Sequence, residues 1–537
     1  MKPLYKLALI TIVIISLGFL PGDNDIYFQI SKNIELFGRI YKEVAVNYVE
    51  DVDPEEFMLA GIKGMLSSLD PYTNFIDENL QKDIDVITKG KYGGIGASVG
   101  IRNGNVTIVD LLEGYSAQRQ GIKIGDVISK IDNNNISVEN YERLTEFLKG
   151  DPGTTVNILI KREGDSDLIN FNIVREEIEV KNLTYYGFVP ESSHNAYLKL
   201  SGFNRTAGDE VKKAIVELKS TKDIRSIILD LRGNPGGLLD AAIDVSEKFL
   251  KKGQLIVSVQ GRDSVETKFY YSQEEPVAQN IKLIVLIDEG SASASEIVAG
   301  AIQDHDRGLI LGVNSFGKGL VQTIVPLSFK TSLKITTAKY YTPSGRSIQR
   351  IDYGNNRVFV NNKGVDSIFY TDSKKKVKAF GGIQPDSVVL GESKSKYIRN
   401  LKAEGMFFRF ATMLNQKSNE NLLNNITDKK LSDEFSLFIK EEKFVFKSDL
   451  TILSDELEKN AREEKNNNGL LEEIKSLKDK IRSFENEQIN LYKDDLLTEI
   501  KLELSTHLSG RKGRILESLK NDKQFKAAVS IASLETK

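Results

Sequence analysis

A chain of 537 residues is too long for one hydrophobic core, so several domains are expected. With 73 basic and 76 acidic side chains the formal net charge is −3, which argues against a nucleic-acid-binding surface as the main function. Without a single cysteine, a thiol nucleophile, a thiolate metal site and a disulfide framework are all excluded.

The chain opens with Lys2 and Lys6 ahead of the apolar run Leu7–Leu20, closed by Pro21-Gly22. A spanning helix usually needs about 20 apolar residues, so this shorter run behind a basic start reads as a secretory signal. No small-x-small cleavage site follows it, and an uncleaved inner-membrane anchor stays open. Residues 1–21 are thus a signal peptide or anchor, and the rest is expected to be exported, periplasmic or anchored facing the periplasm.

Residues 22–90 read as a helical region. Ile34, Phe37, Tyr41, Val44 and Tyr48 recur at three- and four-residue spacing and make one apolar face. A second helix starts at Asp53-Pro54, an N-cap with proline at the first position, and Asp70-Pro71 breaks it. Nothing here is chemical; the region serves as scaffold or as the surface of a homodimer.

From 91 to 176 the chain turns to short strands and glycine turns. Val106–Val109, Val127–Ile131 and the alternating Val156, Ile158 and Ile160 are strands, and Glu139–Leu148 is an amphipathic helix. The pattern resembles a PDZ domain, whose carboxylate-binding loop would be Gly94, Ile95, Gly96 and Ala97. Consecutive backbone N–H groups in such a loop can hold a free C-terminal carboxylate while the peptide adds to a sheet edge.

Strands and helices alternate from Ala196 to about Val313, which predicts a mixed or parallel α/β sheet with helices packed on it. Ile224–Leu229 is a buried strand ending in Asp230-Leu231-Arg232-Gly233-Asn234-Pro235-Gly236-Gly237, with a helix from about Leu238. Asp230 and Arg232 read as a structural pair bracing that loop. Ile281–Ile287 is a second buried strand. After the turn Asp288-Glu289-Gly290, Ser291, Ser293 and Ser295 lead into a helix. Strand, sharp turn and helix expose a nucleophile where free N–H groups and the helix dipole favour negative charge.

A serine there needs a base, and the three histidines are His194, His305 and His507. Only His305 is near, about three turns along the helix and therefore over 10 Å away. It reads as the end of that helix instead. Lysine can serve if burial makes its neutral amine available, and Lys318, in Phe316-Gly317-Lys318-Gly319, is the candidate.

Both stretches, GSASASEIVAGAIQD and SFGKGLVQT, resemble the signature of the C-terminal processing (tail-specific) serine peptidases. The resemblance implies a crotonase-like α/β peptidase core at 177–392 and a Ser–Lys dyad. It selects Ser293 as nucleophile, Lys318 as base 25 residues on, and Gln322 as the residue that orients the lysine. The oxyanion hole would combine Ala294 N–H with that of Gly236 or Gly237. No metal or cofactor is implied, and substrates would be proteins or peptides with free C-termini. Two other readings carry less: a non-catalytic exported PDZ scaffold, and an acyl-CoA enzyme suggested by fold analogy alone.

Residues 393–537 form a polar helical extension without catalytic motifs. Leu470, Ile474, Leu477, Ile481 and Phe484 step by four and three as a coiled-coil seam would. Two heptads are short for that, and a hairpin packed on the core or a second subunit is favoured. Lys465–Gly469 would be its turn.

Overall fold

The computed structural model describes residues 24–78, 80, 90–262, 266–353, 359–360, 367–379, 381–417, 426–464 and 468–534. The expected signal segment and most of the expected Lys465–Gly469 turn lie outside them. The chain forms two compact units. One gathers the chain up to Glu78 with Gln322–Thr336 and Tyr353–Arg357; the other holds Asn79–Val321, Thr337–Asp352 and Val358–Lys537.

In the first unit, helices span Asn24–Asn47 and Pro54–Ser67. Asp53 caps the second through Oδ1, which accepts from Glu55 and Glu56 N–H. The helical reading fails over Asn74–Ile76, just past Asp70. The Asp70 carboxylate takes the Tyr72 and Thr73 N–H groups into a turn, and Asn74–Ile76 becomes a strand paired with Ser332–Lys334. The apolar face of the first helix is only half covered: Ile34 is 67% and Phe37 48% exposed, whereas Tyr41 stacks on Phe57 at 5.8 Å.

The second unit begins with the PDZ-like module. Its antiparallel sheet runs in the order Ala97–Arg102, Asn105–Leu111, Val127–Ile131, Thr155–Lys161, Ile169–Val174, so Ala97–Arg102 is an edge strand. Ile108, Ile128, Ile158 and Ile173 fill its core. The expected Glu139–Leu148 helix is shorter, a 3₁₀ turn at Tyr141–Arg143 followed by Leu144–Leu148. Ser137 N–H bonds to Asn140 Oδ1, and this local turn competes with helix.

The α/β core is a six-stranded sheet. Its central strands β1 (Asn195–Leu200), β2 (Ser226–Asp230), β3 (Lys282–Ile287) and β4 (Leu309–Gly312) are parallel neighbours, with Leu183–Phe188 antiparallel at one edge and Ser387–Val388 at the other. Side chains alternate between the two faces, as a strand requires. Leu198, Leu229, Val285 and Ile287 face helices α1 (Ala207–Thr221), α2 (Leu239–Glu247) and α3 (Ala294–Asp304). Tyr197, Ile228, Ile284, Leu286 and Leu311 face the other way.

That second face is covered from the C-terminal extension. Its hairpin is α4 (Asp449–Glu463) and α5 (Asn468–Leu491), followed by α6 (Lys493–Asn521) and α7 (Lys523–Ser533). Leu519, Phe525 and Ala528 close on the sheet, with Phe525 edge-on to Tyr197 at 5.4 Å. The hairpin is the favoured reading of the 470–484 stripe. Only Ile474 and Ile481 are buried, whereas Leu470, Leu477 and Phe484 stay exposed. α6 breaks at Ser509 and Gly510, just before Arg511 meets Asp110 of the PDZ-like sheet at 2.5 Å.

Candidate active site

β2 and β3 are parallel neighbours, so the loops leaving their C-terminal ends emerge together, the usual place for a site in such sheets. Leu231 N–H bonds to Leu286 O at 2.9 Å and Gly233 N–H to Asp288 Oδ1 at 2.8 Å. The serine run is stitched to the same loop. Ser291 Oγ donates to Leu231 O and Ser295 Oγ to Asn234 O, both at 2.9 Å, and both serines are fully buried. Ser293, between them, is partly exposed. Two of the three serines thus tie the loops together.

Ser293 precedes α3 with φ 55° and ψ −112°. A non-glycine residue held there stores on the order of 1–3 kcal/mol, as at the sharp strand-to-helix elbow that presents a nucleophile. Its N–H is fixed by the side chain of Glu296, one turn on, at 2.8 Å. The sequence reading passed over Glu296, although S-x-x-E at a helix start is the capping-box pattern that would have flagged it.

Glu296 does more than cap. Fully buried, it accepts at Oε1 from Ser315 Oγ at 2.5 Å and Gly317 N–H at 2.8 Å. At Oε2 it accepts from Ser293 N–H and, at 2.9 Å, from Lys318 N–H. One oxygen therefore holds the backbones of both expected dyad residues. Burial pushes the Glu296 carboxyl up to about 7, against the pull of these donors toward the ionised form. Tyr340, buried in the core, makes a second tie: its hydroxyl bonds to Ser293 O at 3.1 Å and to Lys318 O. Nothing in the sequence marked it beyond its place in a strand. The side chain of Lys318 is half-buried, in keeping with its partly apolar segment.

The glycine turn packs directly against the serine. Gly236 has φ 100°, and a Cβ there would lie 2.7 Å from Ala292 O and 2.9 Å from both Ala294 N and Ser293 Cβ, so only glycine fits. Gly236 N–H is taken by Asn234 Oδ1 at 2.9 Å; Gly237 N–H makes no hydrogen bond among the described residues. Asp230 and Arg232 pair as expected, Nη2 to Oδ2 at 2.6 Å. Burial would raise the Asp230 carboxyl, but Lys199 and Arg232 beside it hold it well below the usual carboxylate range.

Gln322 belongs to the first unit, where its amide reaches Thr336 Oγ1 at 3.4 Å. His305 ends α3 and is spent on Asp372 and on Leu255 O. In the PDZ-like module, Gly94 closes a strand, Ile95 is buried, Gly96 has φ 78° and Ala97 opens the edge strand. The carbonyls of Ile95 and Gly96 accept from Ala117 and Leu112 N–H. Among the described residues no cluster of three or more metal-ligating side chains occurs.

A PDZ module joined to an α/β core with a strained serine at a helix N-terminus defines a serine-type peptidase of multidomain build. The family model of peptidase family S41 matches residues 194–354, a PDZ-domain model 93–173, and "Probable PDZ-protease, C-terminal helical domain" 397–532. A carboxy-terminal-processing protease of Bartonella bacilliformis is 40% identical over 323 residues, 60% of this chain and 73% of that protein. The carboxy-terminal processing proteases CtpA and CtpB of Bacillus subtilis are 31% and 30% identical, matching 65% and 59% of this chain and 75% and 66% of their own lengths. The chain belongs to the carboxy-terminal processing proteases of peptidase family S41.

Proposed function

We propose that this peptidase cleaves exported proteins near their C-termini with Ser293 as nucleophile and Lys318 as base. The neutral lysine amine takes the proton from Ser293 Oγ as Oγ bonds to the scissile carbonyl carbon. Ala294 N–H and a glycine N–H of the 236–237 turn hold the resulting oxyanion. As the C–N bond breaks, the lysine ammonium returns its proton to the leaving amine. Water, deprotonated by the same lysine, then attacks the acyl-enzyme and releases the acid.

The observation that carries this reading is the shared Glu296 oxygen, which ties the Ser293 and Lys318 backbones to one point. The Gly94–Ala97 loop and the edge strand beside it suit a free C-terminal carboxylate and its extended peptide. The basic start and apolar run of residues 1–20 support export, by cleavage or as an inner-membrane anchor. The exposed Ile34 and Phe37 of the N-terminal helix support a homodimer.

The test uses the full chain, its Ser293→Ala form, and a protein with a free C-terminus, followed by mass spectrometry. Trimming by the wild type alone is expected. Equal trimming by both forms would sink the Ser293 mechanism, and binding of tails with no trimming by either would favour a non-catalytic PDZ scaffold.

A further inference from the structure

The glycine turn beside Ser293 is anchored at its start by Arg232, and half of that anchor comes from nearly 300 residues further along the chain. One edge of the guanidinium is bidentate to Asp230, Nε to Oδ1 at 3.0 Å and Nη2 to Oδ2. The other edge, Nη1, meets Asp522 Oδ2 at 2.7 Å and Gln524 Oε1 at 2.8 Å. Both acceptors sit at the start of α7. Asp522 Oδ1 meanwhile caps that helix, accepting from Gln524 and Phe525 N–H. Gln524 is 5% exposed, and its amide nitrogen donates to Val389 O at 2.8 Å. The helix itself is fixed under the sheet by Phe525 and by Lys282, whose ammonium bonds to Ile531 O and Leu534 O.

Arg232 is only 15% exposed along its side chain. Without α7, Nη1 would lose both of its protein acceptors, and only the Asp230 edge of the guanidinium would stay fixed. The backbone of Arg232 leads directly into Gly233–Gly237, and Gly236 abuts Ser293 Cβ and Ala294 N. Movement of the guanidinium is therefore movement of the turn against the nucleophile. A small misplacement at an oxyanion site is costly because its donors act on charge present only in the transition state.

We propose that Asp522 and Gln524 are positioning residues for peptide hydrolysis. They act through the Arg232 guanidinium to fix the turn that carries the second oxyanion donor. The inference rests on the peptidase reading above and assigns to the C-terminal helical extension a part in the chemistry itself.

The test compares wild type, Ser293→Ala, Asp522→Asn and Gln524→Met on one peptide substrate. Asparagine is as good an N-cap as aspartate, so Asp522→Asn keeps α7 capped while removing the charge from Arg232. Gln524→Met keeps side-chain length and loses the hydrogen bonds; it reads the same quantity should Asp522→Asn fail to fold. For each folded variant kcat should fall about tenfold with KM held within about twofold, because the lost interaction matters only in the transition state. Affinity for a peptide aldehyde, whose adduct places an oxyanion in the hole, should fall by the same factor. Unchanged kcat in both variants, or a rise confined to KM, would overturn the proposal. Equal hydrolysis by wild type and Ser293→Ala would instead remove the peptidase mechanism, so the two failures are distinguishable.

Discussion

Glu296 joins the two halves of the dyad with one carboxyl group, and three of its four partners are backbone N–H groups that only an acceptor satisfies. In Glu296→Gln the amide NH₂ would confront an N–H or hydroxyl donor. Activity should fall at least tenfold and stability by about 2 kcal/mol, read from turnover and urea unfolding. Burial raises this carboxyl from its ordinary 4.5 to about 7. The folded state therefore binds the proton more tightly than the unfolded one. The stability it contributes is complete below about pH 4.5 and is lost as pH rises through about 7, up to about 3 kcal/mol. Unfolding midpoints should drop from pH 5 to pH 8, and Glu296→Gln should flatten that slope. At Gly236 an added methyl collides with Ser293 and Ala294, so Gly236→Ala should cut kcat about a hundredfold. At this scale the strand–turn–helix at Ser293 and the glycine turn beside it were legible because their motifs are continuous in sequence. Tyr340 was not, because its role exists only where a strand passes two distant carbonyls.

Strands and helices of the core were legible to within a few residues, since a short, nearly continuous apolar run such as Ile281–Ile287 marks a strand buried on both faces. What covers the sheet's second face was not. The face reads only as apolar, and nothing local names Leu519, Phe525 and Ala528 as its cover. Removing the Phe525 ring should therefore destabilise the peptidase core itself, not only the extension. Phe525→Ala is expected to cost about 3 kcal/mol, and denaturant unfolding followed by tyrosine signals of Tyr197 would register it. A loss confined to helical signal would show that the extension unfolds alone. The stripe on α5 was half legible: its spacing gave the hairpin, but spacing cannot tell a covered position from an open one.

Across the whole molecule, the expected readout of a PDZ-directed peptidase is sensitivity to the far end of its substrate. A peptide with a free C-terminus should bind the Ser293→Ala chain at least tenfold more tightly than its C-terminally amidated twin, because a loop of backbone N–H groups recognises charge. Equal affinities by titration calorimetry would deny the Gly94–Ala97 loop that role. The exposed Ile34 and Phe37 predict a two-copy particle in sedimentation, reduced to one copy by Phe37→Asp.

The alternation in Ser291–Ser295 has a practical corollary. Three hydroxyls lie within five residues, yet two are sealed in as rivets between loops. A fluorophosphonate reagent should therefore modify a single hydroxyl of the trio, and tryptic mapping of the adduct would find the tag on Ser293 alone.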